Sequence, residues 1–350
     1  MSIGFFPRYS QLGASSRCRF YMYFQRWKAM EPQADIAISD GFSDDYLRKL
    51  YSQKRVNKAV QLREFLRMFF RALHLPENLI IEYELVPFLP YKYEKLLIGK
   101  RPYILNIDDN IWEKYRNTPA LQDKYDLLCS HAAGVIVANE FLYNKVQLLN
   151  PNVCLIPTVV DLDKYNAVTC EKFDVFTAVW IGTPVTYKYL ESFQEVLQSI
   201  FNTPQRKLLI VADAALQEKR QLKNVNAEYV SWSEAAECEY IKRCHVGIMP
   251  LTDDEFSRGK SAYKLLQYQA GHLPLIASPV GENKRVVIPD ENGFLAENIA
   301  QWQLAFERLE KDEQLYEKYS AGAGKMAYNY SLQKYFTIYK DFINSTFNLK

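Results

Sequence analysis

Short apolar runs alternate along the chain with longer amphipathic stretches, and turn residues separate them. This alternation is typical of parallel sheets whose strands are joined by helices. In the first half it predicts strands at residues 2–6, 35–39, 78–83, 102–107, 134–139 and 153–158. In the second half it predicts strands at residues 176–182, 207–213, 227–232, 246–251, 273–278 and 293–297. Each half therefore predicts an α/β sheet of its own.

The two halves are separated by a polar segment without clear periodicity, residues 162–174, which is the best candidate for a linker. The length of 350 residues also exceeds the roughly 250–300 residues at which a single core stops growing. We therefore expect an N-terminal domain of residues 1–168 and a C-terminal domain of residues 169–350. Two facing doubly wound sheets would bind a ligand in a cleft between the carboxyl ends of their strands. The last amphipathic stretch, residues 331–347, predicts a helix.

Composition excludes several classes of protein. A hydrophobic content of 48% with 24% charged residues is that of an ordinary globular protein, and the net charge of +2 is too small to indicate nucleic-acid binding. No apolar run approaches the ~18 residues of a membrane span, and the first residues do not resemble a signal peptide. The six cysteines are scattered without a CxxC pair, which argues against a metal site or a disulfide framework. We expect a cytoplasmic protein.

Three cations, Arg258, Lys260 and Lys264, surround the start of a helix predicted at residues 263–270, with Ser261 as its N-cap. Cations are unfavourable there by about 0.3–1 kcal/mol each, because the N-terminus carries the positive end of the helix dipole. A bound anion reverses that effect, and backbone amides together with cations suit phosphate. The alternative interpretation is that these are solvated surface charges.

Two further loops follow predicted strands at the same sheet edge. One begins at Gly182 and Thr183, and the other contains Gly281. Three loops at one carboxyl edge predict a phosphate-binding site. No GxGxxG follows a strand and no P-loop is present, which disfavours a dinucleotide oxidoreductase and a P-loop nucleotidase.

These residues carry a family resemblance. The segment GKSAYKLLQYQAGHLPLIASPVGENKRVV…ENGFL (259–295) resembles the donor-binding segment of retaining glycosyltransferases related to glycogen synthase, the group 1 family, of the bacterial surface-glycan type. The similarity continues at residues 179–190 and 232–251, and more weakly at 13–19, 103–112 and 135–161. It implies the GT-B fold, in which two Rossmann-like domains face each other across a cleft and the C-terminal helix packs back on the N-terminal domain.

The resemblance also implies a reaction. A sugar would be transferred from a nucleotide diphosphate sugar, with retention of configuration and without a metal ion or another cofactor. The nucleotide would bind to the C-terminal domain and the acceptor mainly to the N-terminal one. By position, Arg258, Lys260 and Lys264 would hold the diphosphate, and the base would lie beside Ser231 and Trp232.

The chain departs from the family at two positions. Many relatives carry two glutamates eight positions apart, where this chain has Gly259 and Gln267. Gln267 could still bind a ribose hydroxyl, or it could be an exposed helix residue. Gly259 offers only its backbone to the sugar, so Glu255 or Asp254 could take over that contact.

In relatives, a loop of the N-terminal domain presents a histidine to the reaction centre, and the matching residues here are Asp108 and Asp109. Asp109 could orient or deprotonate the acceptor hydroxyl, or stabilise the transition state. Alternatively, the two aspartates cap a helix that begins near Trp112. Gly13 begins a small-residue loop that would let the backbone approach the donor phosphate or the acceptor.

Residues 46–75 form a basic amphipathic segment. Arg63, Arg67 and Arg71 form a cationic row, and an apolar row occurs at helical spacing (Leu62, Phe65, Leu66, Phe69, Phe70, Leu73). Such a helix can lie on an anionic membrane, which would suit an enzyme of lipopolysaccharide synthesis at the inner face of the cell membrane that extends a lipid-linked glycan. Alternatively, the apolar row packs against its own sheet and the acceptor is a soluble glycan.

Two other functions remain open. One is a nucleotide-sugar 2-epimerase on the same scaffold, which needs no acceptor. The other is a non-catalytic subunit that binds a nucleotide sugar, because the first family glutamate is missing at Gly259.

Overall fold

The computed structural model describes residues 2–53, 56–212 and 216–349 and divides the chain into two compact units. The first unit is Met1–Val159 with Lys334–Lys350, and the second is Val160–Gln333. The division therefore falls nine residues before the expected boundary at residue 168. The segment 162–174 is not a linker but part of the second unit, because Tyr165 is buried and Lys242 donates to the carbonyl oxygens of Tyr165 and Val168.

Six parallel strands form the sheet of the first unit, in the order β2-β1-β3-β4-β5-β6. Their bounds are β1 (Ile3–Phe6), β2 (Ile36–Ile38), β3 (Asn78–Glu82), β4 (Tyr103–Ile107), β5 (Gly134–Val137) and β6 (Val153–Leu155). The four inner strands are buried at every residue, as expected of parallel strands that helices cover on both faces.

The first seven α-helices belong to this unit. They are α1 (Ala14–Ser16), α2 (Met22–Met30), α3 (Asp44–Gln53), α4 (Lys58–Arg71), α5 (Tyr91–Ile98), α6 (Lys124–His131) and α7 (Glu140–Val146). A π-helical segment (Arg17–Tyr21) joins α1 to α2, and a 3-10 helix (Ile111–Lys114) follows β4.

The second unit contains another parallel sheet, with the order β12-β11-β10-β7-β8-β9. Its strands are β7 (Phe176–Ile181), β8 (Arg206–Ala212), β9 (Ala227–Ser231), β10 (Val246–Met249), β11 (Leu275–Ala277) and β12 (Gly293–Leu295). The order reverses at β7 and β10, and such a reversal is where open α/β sheets bind ligands.

Ten α-helices and a 3-10 helix (Tyr328–Tyr330) surround this sheet in the described part of the unit. The α-helices are α8 (Leu162–Asn166), α9 (Lys188–Ser192), α10 (Gln194–Phe201), α11 (Leu216–Arg220), α12 (Glu237–Arg243), α13 (Glu255–Arg258), α14 (Tyr263–Ala270), α15 (Asn283–Val286), α16 (Ile299–Lys311) and α17 (Glu313–Ala327).

The last helix, α18 (Leu332–Phe347), returns to the first unit from Lys334 onward. Tyr339 stacks on Tyr23 with ring centroids 4.1 Å apart, and Phe336 meets Trp27 edge to face at 6.5 Å. These ring contacts tie the end of the chain to α2.

All twelve predicted strands are confirmed, most of them with shorter ends, and residue 213 lies outside the described residues. The helices predicted at residues 263–270 and 331–347 are confirmed as well. The basic segment 46–75 contains most of α3 and the whole of α4, and residues 54–55 between them are not described. No helix among the described residues is both long and apolar enough to cross a bilayer.

Candidate functional site

The three predicted loops meet at the carboxyl edge of the second sheet. The Ser278 hydroxyl, after β11, accepts a hydrogen bond of 3.0 Å from the Leu251 amide, after β10. The Ser257 hydroxyl, in α13, donates to the Tyr189 hydroxyl at 3.1 Å and so ties α13 to the segment after β7. The structure therefore brings the loops that contain Gly182, Gly281 and residues 257–264 together.

Glycines shape two of these loops. At Gly182 an added Cβ would lie 2.4 Å from the Trp180 ring, and the next amide, from Thr183, donates to the Thr186 hydroxyl at 3.1 Å. Gly281 has a φ of +53°, and a Cβ there would lie 2.6 Å from the carbonyl oxygen of Arg258. Both loops therefore require a residue without a side chain. At Gly182 the reason is space, and at Gly281 it is both space and the positive φ.

Three lysines lie at this edge. The ammonium groups of Lys188 and Lys260 both lie within 6 Å of the Tyr189 and Phe256 ring centroids, so the two groups share one neighbourhood. Lys264 places its ammonium 5.5 Å from the centroid of Trp180, at the end of β7. Lys188 was not among the predicted site residues. Its position six residues after Gly182 could have indicated that it lies near this site.

Arg258 has a different environment from these lysines. Its guanidinium forms a salt bridge with Asp253 at 2.7 Å, and both side chains are more than half exposed. An exposed pair of this kind contributes about 0–1 kcal/mol, so an anion could compete for the guanidinium at little cost.

The start of α14 differs from the prediction. The N-cap is Ala262 and not Ser261; it adopts the left-handed conformation with a φ of +51°, and no side chain caps the helix. The physical reason is packing, because Ala262 is buried in the core of the unit. Lys264 still lies in the first turn of α14.

Gln267 is buried in α14, so its interpretation as an exposed helix residue is wrong. Its side-chain nitrogen has no hydrogen-bond partner among the described residues. Gly259 ends α13, and Glu255 begins it as an exposed residue. The Asp254 carboxylate caps α13 by accepting from the Ser257 amide at 2.7 Å, which explains why a short helix begins there.

The residues expected beside the base lie at the carboxyl end of β9. Ser231 is exposed, and Trp232 is half-buried. The indole N–H of Trp232 donates to Glu237 at 2.5 Å, which fixes the orientation of the ring.

Polar side chains also converge at the carboxyl edge of the first sheet. The Ser15 hydroxyl lies 2.8 Å from Glu82 Oε1 and 2.6 Å from Asp108 Oδ2. Glu82 Oε2 also accepts from the Ser16 hydroxyl at 2.5 Å and from the Arg8 amide at 2.6 Å. Burial raises the pKa of Glu82 to about 7, and the nearby Asp108 adds to the rise.

This arrangement corrects the interpretation of Asp108 as a helix cap. Asp108 is buried and accepts from the hydroxyls of Ser15 and Tyr83. The 3-10 helix that follows has Asn110 as its N-cap, and the Asn110 side chain makes no capping hydrogen bond. Asp109 is half-buried, so it is the more accessible of the two carboxyl groups. Gly13 is the N-cap of α1, where a Cβ would lie 2.6 Å from that of Tyr9.

Another buried carboxylate, Glu84, is surrounded by cations. It lies 3.0 Å from Arg8, 2.6 Å from Lys114 and 2.6 Å from Lys124. Burial alone would raise the pKa of Glu84, but Lys124, Arg8 and Lys114 together lower it to about 2. Glu82 and Glu84 were not predicted from the sequence. The available indication was the presence of two acidic residues where the apolar run of β3 ends.

The arginine row of α4 does not form a separate cationic face. Arg63 pairs with Asp45 at 2.8 Å, and Arg67 pairs with Glu64 at 3.2 Å. Arg71 donates to the Leu85 carbonyl oxygen at 3.2 Å. The apolar row is partly exposed instead, and the exposed side chains are those of Leu62, Leu66, Phe70 and Leu73.

Sequence comparison relates most of the second unit to a known family. Residues 176–312 match the sequence model of the family described as glycosyl transferases group 1. The matched range contains the loops after β7, β10 and β11, together with α14. A search of curated protein sequences gives no match.

Solved structures resemble the chain over its whole length. HepE from Anabaena, in complex with UDP and glucose, has a TM-score of 0.70 and 12% identity, and the alignment covers 99% of this chain and 100% of HepE. Sucrose-phosphate synthase from Thermosynechococcus elongatus has a TM-score of 0.71 and 12% identity, with 100% of each chain covered. A glycosyltransferase from Rickettsia africae has a TM-score of 0.64 and 13% identity, covering 99% of this chain and 98% of that one. The chain thus has the GT-B fold of two Rossmann-like units, and residues 176–312 of its second unit match the group 1 glycosyltransferase family model.

Proposed function

We propose that the chain transfers a sugar from a nucleotide diphosphate sugar to a hydroxyl group of a glycan or lipid-linked acceptor, in the synthesis of a cell-surface polysaccharide such as lipopolysaccharide. The part of this proposal that concerns the sugar donor is supported by the position of three lysines at the carboxyl edge of the segment that matches the group 1 family model. They are Lys188, Lys260 and Lys264. The similarity to HepE, whose structures contain UDP or UDP-glucose, supports a uridine diphosphate donor.

In this proposal the diphosphate binds at the start of α14, with Gly182, Thr183 and Gly281 in the loops beside it. Lys260 and Lys264 supply positive charge, and a diphosphate accepts charge-assisted hydrogen bonds from them. Gln267 supports a ribose contact, because a buried amide without a partner is costly and a ribose hydroxyl would satisfy it. Ser231 and Trp232 flank the base, and Gly259 and Glu255 lie toward the sugar.

The acceptor half rests on the first unit. Asp109 is proposed to orient or deprotonate the acceptor hydroxyl, since the Asp108 carboxylate already accepts two hydroxyl hydrogen bonds. Gly13 lets the backbone of the loop before α1 approach the substrate. We also propose that the transfer retains the anomeric configuration and needs no metal ion or other cofactor, as the family resemblance implies.

We further propose that the enzyme acts in the cytoplasm, at the inner face of the cell membrane. The exposed apolar side chains of Leu62, Leu66 and Phe70 in α4, and of Leu73 just after it, support this attachment. Since Arg63, Arg67 and Arg71 bind groups of their own unit, the apolar contact would contribute more than the cations do.

The test is incubation of the pure protein with UDP-glucose, UDP-N-acetylglucosamine and GDP-mannose, with and without glycan acceptors. Release of nucleotide that depends on an acceptor supports the transferase. Formation of an epimer without acceptor supports the epimerase, and binding without turnover supports the non-catalytic subunit. Proton NMR of the product gives its anomeric configuration and tests retention.

A further inference from the structure

The loop between β3 and α5 displays a large aromatic ring to solvent. The side chain of Phe88 is 64% exposed, although it follows a strand that is buried at every residue. Exposure of an aromatic ring forgoes the stabilisation that its burial would bring. The ring therefore lies at the carboxyl edge of the first sheet and is not part of the hydrophobic core.

The backbone holds Phe88 in an unfavourable conformation. Its φ is +63°, which is uncommon for a bulky residue and is found where surrounding contacts enforce it. One such contact is the hydrogen bond of 2.9 Å from the Phe88 amide to the Tyr115 hydroxyl. The Tyr115 ring packs edge to face against the Phe88 ring, with centroids 5.8 Å apart. The position of the exposed ring is therefore fixed.

Lys114 lies over the Phe88 ring and provides hydrogen-bond donors there. Its ammonium lies 4.8 Å from the Phe88 centroid and 2.6 Å from Glu84, and the side chain is 27% exposed. An ammonium has three donors, and Glu84 accepts one of them. The remaining donors can reach a ligand that covers the ring.

A continuous set of contacts links this ring to the candidate catalytic edge. The Tyr115 hydroxyl donates to Glu84, and Arg8 joins Glu84 to Glu82, because its guanidinium binds the first and its amide the second. Glu82 shares the Ser15 hydroxyl with Asp108. Phe88 thus belongs to the same polar edge as Asp108 and Asp109.

We infer that Phe88 and Lys114 form a sugar-binding platform for the acceptor glycan, an inference that rests on the proposed transferase function. The C–H groups on one face of a pyranose carry partial positive charge and suit the negative face of an aromatic ring. Hydroxyl groups at the rim of the same sugar accept hydrogen bonds from the Lys114 ammonium. An acceptor whose sugar stacks on Phe88 would be held at the edge where Asp109 lies.

The experiment measures sugar binding by saturation-transfer difference NMR, with maltose, cellobiose and N,N′-diacetylchitobiose as probes and UDP present. We expect the wild type to transfer saturation to the ring protons of at least one disaccharide. Phe88→Ala should weaken that binding about 3- to 10-fold, the range for one aromatic stacking contact, whereas Phe88→Tyr should preserve it. Phe141→Ala removes another exposed ring, from α7, and is the matched control that should bind like the wild type.

The outcomes separate this inference from the donor proposal. Binding that survives in Phe88→Ala, or a protein that binds UDP but none of the disaccharides, overturns the platform. Recovery on phosphatidylcholine vesicles that is lost in Phe88→Ala, with no disaccharide binding, assigns the ring to a lipid and also overturns it. Disaccharide binding that depends on Phe88 in a protein without affinity for UDP supports the platform and contradicts the donor proposal instead.

Discussion

At the scale of single residues, Lys260 and Lys264 are the strongest test of the donor site. Replacement of either by alanine should weaken UDP binding by about 1.5–3 kcal/mol, the range for a hydrogen bond to a charged group. Isothermal titration calorimetry measures the effect. Lys207→Ala is the control, because Lys207 lies at the amino end of β8 and pairs with Glu228. Equal affinities in all variants would move the diphosphate away from α14.

Asp109 is the candidate group at the acceptor. Asp109→Asn removes a proton acceptor while keeping the size of the side chain, so turnover should fall by ~10²–10⁴-fold. UDP affinity should stay unchanged, because the donor residues belong to the second unit. Asp123→Asn, an exposed aspartate of the first unit, is the matched control. Full activity of the Asp109→Asn variant would show that Asp109 is not the base of the reaction.

Glu82 makes stability depend on pH. Its pKa is about 7 in the folded protein and near 4.5 in the unfolded chain, so the folded state binds more protons between these values. Stability contributed by protonated Glu82 is therefore lost as the pH rises from about 4.5 to 7, by on the order of 3 kcal/mol at most. Glu82→Gln cannot ionise and should lack this loss.

Urea unfolding of both proteins at pH 5 and pH 8 checks this expectation. From pH 5 to pH 8, the free energy of unfolding of Glu82→Gln should increase relative to that of the wild type. Both proteins contain the same other titratable groups, so the contributions of those groups cancel in the difference. One of them is His245, whose pKa is lowered to about 4 by burial. A constant difference between the two proteins would contradict the raised pKa of Glu82.

At the scale of elements, the loop between β11 and α15 depends on Gly281. Gly281→Ala places a side chain at a φ of +53°, which costs about 1–2 kcal/mol, and brings its Cβ to 2.6 Å from the Arg258 carbonyl oxygen. We expect the loop to move and UDP affinity to fall. Gly99→Ala shares the positive φ but meets no atom closer than 3.5 Å, so it should leave UDP affinity unchanged. Calorimetry on both variants tests the difference.

Strands and regular helices could be predicted from the sequence because their signals are local. Each inner strand of a parallel sheet is buried on both faces and therefore reads as a continuous apolar run. The bounds of α14 followed from the residues beside it. Its N-cap could not be predicted, since burial of Ala262 is a property of the surrounding core.

The candidate sites were harder to predict because their partners are distant in sequence. Glu82 meets Ser15 across 67 positions, and Arg8 meets Glu84 across 76. The same holds for Arg63, which looks like a free surface cation in the sequence but pairs with Asp45. Only the positions where loops leave the sheet could be predicted from the strand pattern.

At the scale of the whole molecule, the exposed apolar row of α4 predicts membrane attachment. Wild-type protein should float with liposomes that contain anionic lipid, and the double variant Leu66→Ser with Phe70→Ser should not. Because Arg63, Arg67 and Arg71 are engaged within their unit, we expect much of the binding to persist at high salt. Leu304→Ser, from an exposed position of α16, is the control. Equal flotation of wild type and double variant, or none, would favour a soluble acceptor.

The return of α18 to the first unit has a consequence for biosynthesis. The ribosome synthesises the chain from its N-terminus, so almost all of the second unit emerges before the helix that completes the first unit. Until then Tyr23 and Trp27 lack the rings of Tyr339 and Phe336. The first unit therefore leaves an apolar surface of α2 open to chaperones until α18 has emerged and packed against it.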